Sequence, residues 1–83
     1  MMRMIHYHIL QNWQTRTDML EALIKKLEGD IAVAEANINV YLNQSVGIGE
    51  HSDIVETIEK EVTKIAEADE KIQTIKKYFL NQI

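Results

Sequence analysis

Residues 20–42 read LEALIKKLEGDIAVAEANINVYL, and the spacing of their apolar side chains decides the fold. Leu20, Ile24, Leu27, Ile31, Ala34, Ile38 and Tyr41 recur in alternating steps of four and three. That rhythm places all of them on one stripe of an α-helix, whereas a strand would need alternation at every second residue. The same register takes in Leu10, Trp13 and Thr17 upstream and Ser45 downstream, so nine of eleven seam positions are apolar. Gly29 falls on the far side of this helix. Followed by Asp30, it has the composition of a helix end, yet the seam keeps its phase across it. The spacing therefore predicts one long helix over about residues 13–45, with Gly29 inside it at a cost of about 1 kcal/mol relative to alanine. No proline occurs anywhere in the chain to interrupt a helix.

A second seam follows at Ile54, Ile58, Glu61, Ile65, Ala68, Ile72, Ile75 and Phe79. Glu61 is its one charged member, and the neighbouring Val62 is expected to fill the gap. Asp53 and Glu56 have the spacing of a capping box, which starts this helix at residue 53 and carries it to about residue 82. Acids lead and lysines trail along it, as the helix dipole favours. Glu56–Lys60 and Glu67–Lys71 are i,i+4 pairs in the favourable order. Between the seams, residues 46–52 contain Gly47 and Gly49, and Gly47 suits the left-handed residue that ends a helix, with Ile48 folding back on Leu42. So short a connection turns the helices antiparallel. The fold class is all-α: a two-helix hairpin of the coiled-coil type, forming one domain. Folding about residue 48 or 49 pairs Ile38 with Ile58, Ile31 with Ile65 and Ile24 with Ile72. Residues 1–12 overhang without a partner in the hairpin, and their backbone state is left open between helix, strand and disorder.

The first helix is too apolar for a hairpin alone. Nine of the twelve residues from Ile31 to Leu42 are apolar, and Glu35 is the only charge between Asp30 and Glu50. Val33 and Val40 make a second stripe off the seam, with Ala36 beside it. A helix apolar on more than one face is normally buried on more than one. A dimer of hairpins, packing their first helices inward as a four-helix bundle, would bury it. The overhang adds Tyr7, Ile9 and Leu10, with Trp13 beside it, and Arg3, Tyr7, Trp13 and Arg16 there are of the types favoured at binding hot spots. The expected interface is thus Tyr7, Ile9, Leu10, Trp13, Val33, Ala36 and Val40.

Composition excludes several function classes. The net charge is −4, whereas phosphate neutralisation needs clustered Lys and Arg, so no nucleic-acid partner is expected. No apolar run approaches the roughly 18 residues of a membrane span, and residues 1–6 lack a signal peptide's apolar core. A cytoplasmic protein is expected (host cytoplasm or virion, for a viral chain). The chain has no cysteine, which removes disulfides, thiolate metal sites and thiol catalysis.

The histidines invite a metal reading. His6 and His8 would share a face of a strand, but on a helix they point about 200° apart, and His51 lies in the turn. No metal and no cofactor are expected. Gly47-Ile48-Gly49 lacks the lysine and preceding strand of a phosphate loop, and Glu50 and Asp53 would repel phosphate, so it reads as a plain turn. No nucleophile, base and orienting acid converge, and the Glu-x-x-His motif of di-iron bundles is missing. The chain is expected not to be an enzyme. Asn37 flanks the seam and is either an exposed residue or a polar device that fixes register.

Gly49-Glu-His-Ser-Asp53 ahead of the second helix, with Ile54-Val-Glu-Thr-Ile-Glu59 and Ile65-Ala-Glu-Ala-Asp-Glu-Lys-Ile72 following, resembles small uncharacterised helical proteins of tailed phages, marine ones in particular. The resemblance covers about the last 40 residues. It implies a viral or accessory protein and assigns a role to no residue. The functional expectation is a self-associating helical module for protein–protein assembly, such as a phage structural or assembly protein. The alternative is a small regulator or inhibitor docking on a host or cellular protein.

Overall fold

The repeat of apolar side chains winds into one uninterrupted helix, α1 (Met2–Gln44), followed by α2 (His51–Ile75) and a π turn (Lys76–Leu80). The structure, a computed structural model, describes the backbone of residues 2–44 and 51–80 and the side chains of residues 15–43 and 53–80. The expected turn at Gly47 and Ile48 lies outside the described residues. All described residues are helical, and α1 and α2 pack side by side as an antiparallel hairpin. The molecule measures 73 × 18 × 14 Å. That cross-section fits two helices side by side at the usual 8–10 Å separation.

Helix α1 runs 43 residues against 25 in α2 plus five in the π turn. Residues 2–12, whose backbone state the pattern left open, continue α1 as helix. Gly29 does not interrupt it, and an added Cβ there would meet no atom within 4 Å. Glycine in a helix interior exposes backbone and carries a large entropic cost, and nothing at this site compensates for it. Gly29→Ala is therefore expected to stabilise the protein by about 1 kcal/mol, raising the melting temperature by roughly 4–8 °C. Thermal unfolding followed by circular dichroism checks this, and an unchanged or lowered midpoint would show that the glycine serves a contact made outside the single chain.

The seam forms the core. Ile24, Leu27, Ala34, Ala68, Ile72 and Ile75 are buried, with Leu20, Ile31 and Leu80 packed against them. Ile38, Tyr41, Ile54, Ile58 and Ile65 are half-buried. Three details differ from expectation. Helix α2 begins at His51, so Asp53 sits in its first turn rather than at the cap, where it still faces the positive end of the helix dipole. Its carbonyl accepts a hydrogen bond from Thr57 Oγ1 at 2.7 Å, as that of Glu59 does from Thr63 at 3.0 Å, which lets β-branched threonines sit within the helix.

The second difference concerns Phe79. It was expected in the seam but is 51% exposed. The π turn explains it: a π step bonds residue i to i+5 rather than i+4, adding a residue to the turn. Five residues after Ile75 comes Leu80, and Leu80 packs on the core in place of Phe79. Third, Val62 does not fill the seam at Glu61. Val62 is 50% exposed and Glu61 itself is buried.

Candidate protein interface

Helix α1 meets α2 along the seam alone, so whatever α1 carries on its other faces stays open within the single chain. Val33 is 62% exposed and Val40 48%, and Ala36 is exposed beside them. Both valines immediately precede a seam residue, Ala34 and Tyr41, which at about 100° per residue turns them to one flank of the hairpin. The same rule extends the stripe to Met19 and Leu23, 67% and 42% exposed, which the sequence reading passed over. The signal was there: residues 19, 23, 26, 30, 33, 37 and 40 keep the four–three rhythm. Lys26 and Asp30 interrupt its apolar character, and they neutralise one another through an ion pair of 2.8 Å.

Across the groove on this flank stand the residues of α2 that precede its own seam positions. One stretch is lined by Asp30 and Val33 from α1 and by Glu61, Lys64, Glu67 and Lys71 from α2. The next is lined by Leu23 and Lys26 facing Glu67, Glu70, Lys71 and Thr74. The flank thus combines an apolar edge on α1 with an edge of mixed charge on α2, where Lys64 and Lys71 alternate with Glu61, Glu67 and Glu70.

At the floor lies Glu61. Its Oε1 accepts hydrogen bonds from Asn37 Nδ2 at 3.4 Å and from Lys64 Nζ at 3.1 Å. Its Oε2 is buried with no hydrogen-bond partner among the described residues. Across the seam Ala34, nearly inaccessible, leaves room for the carboxyl between the helices. Asn37 therefore acts within the chain, as a half-buried donor across the seam. Glu56–Lys60 and Glu67–Lys71 stay open, and the ion pairs formed among the described residues are Lys26–Asp30 and Lys64–Glu61. Exposed pairs gain little by closing, because water solvates both ends and each side chain loses rotamer freedom.

The remaining expected interface residues, Tyr7, Ile9, Leu10 and Trp13, lie on the backbone of α1, with side chains outside the described residues. The side chains of His6, His8 and His51 lie outside them too. Among the described residues no group of three or more His, Asp or Glu is placed to hold a metal ion. No described helix is long and apolar enough to cross a membrane. No known protein family, characterised protein or solved structure matches the chain.

Proposed function

We propose that the chain is a self-associating, non-catalytic helical module that works by protein–protein assembly, as a small structural or assembly protein of a phage particle would. The observation that carries this reading is the uncovered stripe Met19, Leu23, Val33 and Val40 on α1. Single exposed apolar residues are ordinary, but a row of them at helical spacing marks a surface meant to be covered. The hairpin is also thin, with six buried apolar residues among those described. A chain of this size commonly gains the rest of its stability from a second subunit.

The test is the mass of the purified protein in solution. Light scattering at micromolar concentration is expected to report more than one chain per particle. Val33→Glu combined with Val40→Glu should return it to a monomer while leaving its helical circular dichroism in place, because neither side chain belongs to the hairpin seam. A monomeric unmodified protein would remove the proposal.

A further inference from the structure

The stripe that the hairpin leaves open on α1 is complementary to its own reverse. In order it presents Met19, Leu23, Lys26, Asp30, Val33 and Asn37. Two charges of opposite sign stand at the centre, with an apolar side chain on either side of them. Each of these residues immediately precedes a seam residue, which at about 100° per residue turns the stripe to one side of α1, with α2 beside it rather than over it. Area gives the scale of what is missing. The chain exposes 6990 Å², whereas a folded monomer of this mass would expose about 5,100 Å². The difference exceeds the roughly 800 Å² per partner that a standard interface buries.

We infer that the occupant of this stripe is the same stripe of a second copy, laid antiparallel about a two-fold axis level with Glu28, α1 against α1. The inference rests on the self-association proposed above and gives it an orientation and a register. A two-fold contact needs a surface complementary to itself. In this pairing Lys26 meets the partner's Asp30 and Leu23 meets the partner's Val33, each contact occurring twice, and Met19 meets the partner's Asn37 at the ends. Within one chain Lys26 and Asp30 already hold each other at 2.8 Å, so two copies bring four charges together in alternating sign. A parallel, in-register pairing would set lysine on lysine and aspartate on aspartate, and juxtaposed like charges oppose association. Shifting the antiparallel register by one heptad sets Asp30 against the partner's Val33, or in the other direction Lys26 against the partner's Leu23. Either shift covers a charge with an apolar side chain, which costs free energy without a compensating bond. The α2 edge, being of mixed charge, favours no orientation, so the choice falls to α1.

The chain has no cysteine, so introduced cysteines report the register alone. Leu23→Cys and Val33→Cys change exposed side chains off the seam and are oxidised as single variants and as one double variant of the full chain. The expected result is a covalent dimer for the double variant and none for either single one. Position 23 faces the partner's position 33, whereas it stands about 15 Å along the axis from its own copy, beyond the reach of a disulfide. Circular dichroism reports that the hairpin is kept. In a second arm, Lys26→Glu and Asp30→Lys chains are each expected to associate at least about tenfold more weakly, with the dimer restored when the two are mixed, because opposite charges then meet only between chains. Covalent dimers from both single variants overturn the antiparallel register. An oligomer in solution with no cross-link in any variant, or no recovery on mixing, overturns the contact between stripes while keeping self-association. An unmodified chain that is monomeric under every condition overturns both.

Discussion

Leu27→Ala is expected to destabilise the hairpin by about 2–5 kcal/mol, the cost of removing a buried leucine side chain and leaving its cavity. Leu27 is 5% exposed and sits in the cluster formed with Ile24, Ala68, Ile72 and Ile75. Two helices have little with which to close a cavity, because no third element can move in from behind. The total stability of small domains is itself only about 5–15 kcal/mol, so the loss approaches the whole in a chain this thin. Urea unfolding monitored by helical circular dichroism measures it. Leu23→Ala is the matched control, one helical position off the seam and 42% exposed. In the isolated hairpin its cost should stay near the roughly 0.5 kcal/mol typical of surface substitutions. If Leu23→Ala cost more than Leu27→Ala at all protein concentrations, the seam would be assigned to the wrong stripe. If its cost grew with concentration, Leu23 would be covered by a second chain.

The hairpin was legible because its seam repeats strictly over both helices, and a periodicity of that length outweighs one awkward glycine. Three features were not legible, each for a physical reason. The residue after Ile75 that returns to the core depends on how the last turn winds, and Tyr78-Phe79-Leu80 offers three adjacent apolar side chains with no pattern to choose among them. The burial of Glu61 depends on what stands across the seam: the small Ala34 gives it space and Asn37 gives it a donor. A one-dimensional pattern sees only an acid in an apolar row and looks to Val62 as a substitute. Of the interface stripe, Val33 and Val40 stand out because their stretch of α1 has almost no charge. Met19 and Leu23 lie beyond Lys26 and Asp30, whose ion pair hides the continuity of the row.

Glu61→Leu is expected to make the hairpin more stable and less exact. The carboxyl of Glu61 is buried against the seam, with one oxygen shared between a long 3.4 Å bond to Asn37 and a 3.1 Å contact to Lys64. The other oxygen has no partner among the described residues. The ammonium of Lys64 is itself largely in water, its side chain 62% exposed, so it offsets little of the desolvation. Exchanging a buried ionic group of this kind for an apolar one of similar volume is commonly neutral or stabilising by about 1–4 kcal/mol. Leucine continues the row of Ile58, Ile65 and Ile72, and the half-buried amide of Asn37 can turn to solvent. What the exchange removes is the polar match between Glu61 and Asn37 across the seam. Sliding α2 by a heptad along α1 keeps isoleucine against leucine almost everywhere, but it takes Glu61 away from Asn37 and sets the carboxyl among apolar side chains. That penalty holds the native register, a role known for single polar residues in coiled coils. Urea unfolding should therefore give Glu61→Leu a higher midpoint, while its amide NMR spectrum shows extra or broadened peaks along α2. A loss of more than about 1 kcal/mol would instead mean that the hydrogen bonds of Glu61 outweigh its desolvation. A gain in stability with a single sharp set of peaks would show that the apolar seam alone holds the register.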